Sequence, residues 1–209
     1  MSYKDSYITI FTPAQDFFIE KKSKFIGYIS PCQSVEQANS FITEISKKHY
    51  DATHNCFAYL LRDGGILKCS DNGEPQGTAG VPILEVIKKE ELTNVCIVVT
   101  RYYGGILLGA GGLIRAYSKG ASIACKAADI KQISMCKVFL ITFDYSLYGK
   151  IQYILPNYLH KLISSDFSSE ITLEILIYKK DFEKINNELT ELSNGQIKLQ
   201  EKDELFSYI

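Results

Sequence analysis

Arginine is scarce in this chain. Among 23 basic side chains only Arg62, Arg101 and Arg115 are arginines, against twenty lysines. Guanidinium is the group suited to two-point contact with phosphate or carboxylate, so the placement of so few is informative. Net charge is also sparse. The 24 acidic residues leave a balance of −1, which excludes a wholesale polyanion binder and confines any nucleic-acid contact to a local patch. The six cysteines (Cys32, Cys56, Cys69, Cys96, Cys125, Cys136) never fall at CxxC or CxC spacing. That pattern argues against a zinc site or a disulfide framework, and for free core thiols in a reducing compartment. No apolar run reaches membrane-spanning length. The opening MSYKDSYITIF lacks the basic start and apolar core of a signal peptide. A soluble cytoplasmic protein without a membrane partner is expected. No G-x-S-x-G, P-loop or dinucleotide fingerprint is present, so neither a cofactor nor a nucleophile elbow is expected.

What is present is ample core material. With 46% hydrophobic and 12% aromatic residues over 209 positions, the chain suits one large or two small domains. Residues 1–136 carry 15 basic and 13 acidic side chains, and residues 137–209 carry 8 and 11. The first part therefore leans basic and the second acidic. Strands are expected over 7–11 and 15–30, with a turn near Lys22–Lys24. A helix is expected over 34–48, opened by a Ser-x-x-Gln capping box. A hairpin around Arg62–Gly65 leads to the polar loop SDNGEPQGTAG and a short helix, with Thr78 as its N-cap and Pro82 in its first turn. NVCIVVTRYY is a near-continuous β-branched run, as expected of a strand covered on both faces. Residues 112–128 give a helix with Leu113, Ala116, Tyr117, Ala121 and Ala124 inward, and with Arg115 and Lys119 at i, i+4 on one side. From residue 137 the pattern is a strand, a helix over 146–163 disturbed at Pro156, one or two strands over 166–180, a helix ended by Asn194–Gly195, and a last strand. If the middle segment divides, the order is the ferredoxin-like βαββαβ.

The stretch TRYYGGILLGAGGLIRAYSKG, residues 100–120, holds five glycines within nine positions. Glycines can turn successive backbone N–H groups onto one concave face, and a helix start adds free N–H groups and a positive dipole end. Arg101, Tyr102, Gly104, Gly105, Gly109, Gly111, Gly112, Arg115 and Lys119 are the candidate anion or nucleic-acid site. The competing reading makes Gly104–Gly105 a tight turn and the later glycines a close strand–helix contact. Five glycines exceed what a turn needs, and the anion cradle is preferred. In the second motif, Asp71, Gly73, Glu74, Gly77, Thr78 and Gly80, the carboxylates could hold Mg²⁺ or move protons. Turn and cap roles are the commoner use of such residues. His49, His54 and His160 lack partners for a metal site.

SDNGEPQGTAGVPILEVI joined to TNVCIVVTRYYGGILLGAGGLIRAYSKGA resembles the IMPACT family, with KKSKFIGYISPC and HYDATHNCFAYLL as further matches. The resemblance covers most of residues 16–125. This chain has Arg-Tyr-Tyr-Gly-Gly where relatives commonly have Arg-Tyr-Phe-Gly-Gly. The resemblance implies an α+β protein of two units. Residues 1–136 would form a domain like ribosomal protein S5 domain 2, with a left-handed β-α-β arrangement. Residues 137–209 would form a smaller ferredoxin-like domain similar to the last domain of elongation factor G. Eukaryotic relatives are implicated in restraining a kinase that inhibits translation initiation, through an additional domain that the resemblance does not cover here. The expected function is a non-enzymatic regulator linked to translation, binding RNA or a ribosome-associated protein, with no DNA specificity inferred. An enzyme acting on a phosphorylated or anionic small molecule, and a protein-interaction module, are the alternatives. Some family members carry a peptidase label, but no nucleophile or metal set supports it in this sequence.

Overall fold

The computed structural model describes residues 5–209; the first four residues of the opening segment lie outside it. Two compact units are present, Tyr7–Gln132 and a second made of Ile133–Ile209 with Asp5 and Ser6. After β1 (Ser6–Ile10), the first unit contains β2 (Ala14–Glu20), β3 (Ser23–Pro31), α1 (Val35–Lys48), β4 (His54–Leu60), β5 (Leu67–Ser70), α2 (Gly80–Lys89), β6 (Val95–Tyr102) and α3 (Ala110–Ala127). Its sheet has the order β2-β3-β6-β4-β5, antiparallel at every neighbouring pair.

β6 is central, and its burial explains its composition. Val95, Ile97 and Val99 pack in one core with Ile83 and Ile87 of α2 and with Leu113, Ala116, Tyr117, Ala121 and Ala124 of α3. Cys96 and Val98 pack on the opposite face with Ala38 and Ile45 of α1. Both faces are covered, so the strand shows no polar alternation. The inward stripe read from α3 is the one observed.

Local signals set the element ends. Ser34 Oγ accepts the Gln37 N–H at 3.3 Å, and Gln37 Oε1 accepts the Gln33 N–H at 2.7 Å. The capping box thus reaches back one residue further than the usual reciprocal bond. At α2 the expected cap needs correction. Ala79 occupies the N-cap position, and the Thr78 hydroxyl donates instead to the Pro75 carbonyl at 2.6 Å. The free N–H groups at this end are taken by Asp71, whose carboxylate accepts from Gly77 (2.8 Å), Ala79 (3.0 Å) and Gly80 (2.8 Å). A carboxylate has lone pairs for three such bonds, whereas a hydroxyl does not.

The second unit contains β7 (Ile130–Phe143), α4 (Tyr148–Ile154), β8 (His160–Phe167), β9 (Ile171–Tyr178), α5 (Lys179–Ser193) and β10 (Lys198–Ser207). The strands are ordered β10-β7-β9-β8, antiparallel throughout, which is the ferredoxin-like βαββαβ arrangement. The expected helix over 146–163 is too long. A 3₁₀ turn at Leu155–Asn157 ends it at Pro156, and His160 already begins β8. Leu159, Leu162 and Ile163 mimic helical spacing, but a proline inside the run stops the ladder. The middle segment does divide, with its first strand earlier than expected. α5 ends as read, with Asn194 left-handed at φ 50° and Gly195 at φ 76°. No helix among the described residues is long and apolar enough to cross a membrane.

Candidate functional site

The glycine stretch begins where β6 ends. The Tyr103 N–H donates to Thr53 Oγ1 at 3.0 Å, and the Gly104 N–H donates to Ser23 Oγ at 3.2 Å. Gly104 lies so close to the β2–β3 turn that a Cβ there would overlap the Lys22–Ser23 peptide. That turn holds Lys21 and Lys22 both at positive φ, 44° and 65°, as a two-residue hairpin of right-handed twist requires. Gly104 is thus a docking point that brings two exposed lysines beside the loop. Gly109, at φ 73°, is the N-cap of α3 and supplies no side chain to its first turn. Gly105 is also at positive φ, 81°.

Beside this helix start lies a pocket of about 220 Å³, lined by Phe18, Glu20, Lys21, Leu108, Gly112, Arg115, Ala116 and Lys119. Arg115 and Lys119 do face the same space, as their spacing implies. Arg115 reaches back toward Gly111, and Lys119 Nζ sits 4.3 Å from the centroid of the Phe18 ring. Three cationic side chains therefore line the pocket with one carboxylate, over an aromatic and aliphatic floor. That composition suits an anionic group attached to a flat or apolar one.

Arg101 does not join them. Expected in the anion site, it is only 5% exposed. Its Nη1 is 2.6 Å from Glu74 Oε1, and the Tyr117 hydroxyl donates to the same oxygen at 2.7 Å. His54 Nε2 stands 3.8 Å from Glu74 Oε2, while His54 Nδ1 donates to the Asn72 carbonyl at 2.8 Å. The guanidinium carbon lies 5.5 Å from the Phe25 ring centroid and 5.3 Å from that of Tyr103. A buried cation needs a close counter-charge, and Glu74 provides it.

The acidic motif is therefore a brace. Burial pushes the Asp71 carboxyl up, but the backbone N–H groups of Gly77, Gly80 and Ala79 outweigh it and hold it below the usual carboxylate range. Gly73 lies against the His54 ring. Neither Asp71 nor Glu74 lines the pocket beside the glycine loop. Among the described residues, no group of three or more His, Cys, Asp or Glu side chains is placed to hold a metal ion.

The two tyrosines at the exit of β6, Tyr102 and Tyr103, separate as well. The Tyr102 hydroxyl donates to Asp51 Oδ1 at 3.0 Å and accepts from His49 Nδ1 at 2.8 Å, and the Tyr28 hydroxyl lies 2.6 Å from His49 Nε2. Since Nδ1 carries the proton, Nε2 accepts from Tyr28. Desolvation, followed by the charge of Lys48, lowers the His49 pKa and favours this neutral form. Tyr102 is committed to this relay. Tyr103, 44% exposed, is the ring left available.

The Impact N-terminal domain family matches residues 21–125, and a domain of unknown function, DUF1949, matches residues 141–196. The IMPACT family member YvyE of Bacillus subtilis is 39% identical over 94% of this chain and 91% of its own length. The chain belongs to the IMPACT family. The IMPACT family member YigZ of Escherichia coli is 32% identical over 86% of this chain and 89% of its own. Protein IMPACT-B of Xenopus tropicalis is 31% identical over 48% of this chain, which corresponds to 36% of that protein. A solved structure described as that of an hypothetical protein has a TM-score of 0.60 and 30% identity, covering 95% of this chain and 98% of that one.

The Impact N-terminal match contains the lysine turn, the brace and the glycine loop together. Sequence reasoning missed Phe18, Glu20, Lys21 and Leu108. The one signal for Glu20 and Lys21 was the EKKSK run between two strands, which read only as a turn. All six cysteines of this family member are free, and five are buried. Burial pushes the thiols of Cys32, Cys56 and Cys125 up to about 12, so none of these three is an activated nucleophile.

Proposed function

We propose that this IMPACT-family protein is a non-enzymatic, translation-linked RNA-binding protein whose first unit grips backbone phosphates beside the start of α3. Lys21, Arg115 and Lys119 supply the charge, the uncapped first turn of α3 supplies N–H donors, and Tyr103 is available to stack on a base. The observation that carries the reading is the convergence of three cations on a pocket with a single carboxylate, in a chain whose net charge is −1. The link to translation comes from the family. The carboxylates on which an enzyme reading would depend are committed elsewhere, Asp71 to the end of α2 and Glu74 to Arg101 and Tyr117.

The test is binding of a mixed cellular RNA pool as a function of salt, with the native chain compared to Arg115→Ala/Lys119→Ala. Each phosphate contact to a single strand contributes about 0.7 to the slope of log affinity against log salt. Losing two contacts flattens the slope by about 1.4. Both side chains lie at the surface, so the fold is expected to survive, and a matched thermal transition confirms it. No binding at low salt, or a slope indifferent to the double change, refutes the reading. Ribosome binding without affinity for free RNA would move it to a protein partner.

A further inference from the structure

We propose that β8 is a self-pairing edge, so that two copies of the chain join through their ferredoxin-like units into an antiparallel dimer. β8 ends its sheet, with β9 on one side and no strand among the described residues on the other, and an edge strand presents unpaired N–H and C=O groups to any matching strand. This edge also exposes apolar side chains. Leu162, Ile163 and Phe167 are 49%, 48% and 52% exposed, far more than their chemistry favours.

The occupant follows from the register. Against β9, His160 pairs with Ile177, Lys161 with Leu176 and Leu162 with Ile175. A bulge then intervenes, and Ser164 pairs with Glu174, Ser165 with Leu173, Asp166 with Thr172 and Phe167 with Ile171. Ile171, Leu173, Ile175 and Ile177 face the core of this unit. His160, Leu162, Ser165 and Phe167 are therefore on the core side, and Lys161, Ser164 and Asp166 on the other. In a regular strand, positions 161 and 166 would lie on opposite faces. The bulge places both on one face.

That shift makes the strand complementary to itself. Two copies of HKLISSDF, antiparallel about a two-fold axis between Ile163 and Ser164, set Lys161 opposite the partner's Asp166 and Asp166 opposite the partner's Lys161. Both ion pairs fall on the same sheet face, as opposed residues must. His160 then opposes the partner's Phe167, and Leu162 the partner's Ser165, again each on a single face. Neither Lys161 nor Asp166 is used in an ion pair among the described residues; the neighbouring pairs are Lys202–Glu174 and Lys198–Glu170. An isologous contact of this kind closes as a dimer and does not propagate.

The experiment is sedimentation equilibrium of the full chain from low micromolar to several hundred micromolar, with four proteins compared. The native chain is expected to approach dimer mass as concentration rises. Lys161→Asp and Asp166→Lys each set like charges opposite one another at two symmetric places and weaken the dimer about tenfold. Lys161→Asp/Asp166→Lys restores opposite charges and returns affinity to within about twofold of native. Both positions are exposed, so folding is not at issue, and circular dichroism checks it. As a second readout, the outward amides of β8 gain hydrogen-exchange protection as the native protein is concentrated. A monomer throughout, a dimer indifferent to the single reversals, a double variant that fails to recover, or unprotected β8 amides in a dimer would each overturn the proposal.

Discussion

Glu74→Gln and Arg101→Met, separately and together, test whether the brace beneath the glycine loop is an ion pair in substance. Side-chain exposure is 3% for Glu74 and 6% for Arg101, and their charged atoms are 2.6 Å apart. Glu74→Gln keeps an acceptor for the Tyr117 hydroxyl but leaves a buried guanidinium without its counter-charge. Arg101→Met keeps an unbranched apolar stem in place but leaves a buried carboxylate instead. Removing one partner of a buried pair costs about 3–5 kcal/mol, because the survivor stays desolvated and uncompensated. At roughly 2–4 °C per kcal/mol for a protein of this size, either single change lowers the thermal midpoint by about 6–20 °C.

The double variant behaves differently. It removes both buried charges together, and Arg101 Nε, buried without a hydrogen-bond partner among the described residues, no longer counts against the native state. A neutral pair of similar volume is expected to lie within about 1–2 kcal/mol of native. The coupling energy from the double-mutant cycle then exceeds about 2 kcal/mol. Urea unfolding followed by circular dichroism measures all four proteins. Single variants within about 1 kcal/mol of native, or a double variant as weak as the sum of the singles, would refute the reasoning.

The cap and the relay give further outcomes. Asp71→Ala strips the acceptor from three N–H groups at the start of α2 and costs about 2 kcal/mol, read from the urea midpoint. Because the folded Asp71 carboxyl is held below its ordinary value of 3.8, its contribution is complete at neutral pH and is lost as pH falls from that ordinary value through the lower, folded one. His49→Asn should remove a different slope. The folded imidazole has its pKa below 6.5, so the unfolded chain takes up the proton first, and native stability declines as pH drops from about 6.5 toward the folded value. Persistence of that decline in the variant would assign it to another group. Gly104→Ala, whose added Cβ would overlap the Lys22–Ser23 peptide, destabilises the first unit by more than about 1 kcal/mol and, on the proposed function, weakens RNA binding by displacing Lys21.

Several features were legible in the sequence because one local cause dominated each. The both-faces-covered β6, the inward stripe of α3, the Ser34 cap and the Asn194–Gly195 stop all follow from periodicity or from a single terminal residue. β8 was not legible. Its residues from Lys161 to Phe167 are all exposed, so no alternation of burial marked it, and Leu159, Leu162 and Ile163 fell at helical spacing after Pro156. The site was half legible. Arg115 and Lys119 lie within one turn of one helix, so their spacing fixed their common direction. Lys21 reaches the same pocket through a turn docked on Gly104, a contact between segments about eighty residues apart that no local pattern encodes. Arg101 was misplaced for a related reason. The sequence showed a guanidinium beside glycines, but its direction is set by strand parity and by Glu74, which reaches it from the segment between β5 and α2.

The two arginines flanking the glycine loop therefore have different roles, and the difference makes the binding reading sharper. In the proposed function Arg115 is a contact: its loss should flatten the salt dependence of RNA binding and leave the unfolding transition within about 0.5 kcal/mol of native. Arg101 belongs to the support, since its pairing with Glu74, and Glu74 with Tyr117, ties the exit of β6 to the second turn of α3. Arg101→Met studied well below its own midpoint should keep the native salt slope, with affinity reduced only as far as the folded population is. A salt slope flattened equally by Arg101→Met in fully folded protein would mean that Arg101 leaves Glu74 to meet phosphate, and the brace would then be a latch. The buried 2.6 Å contact and the desolvation cost of breaking it favour the fixed brace, because about 3–5 kcal/mol is more than one phosphate contact at the surface returns.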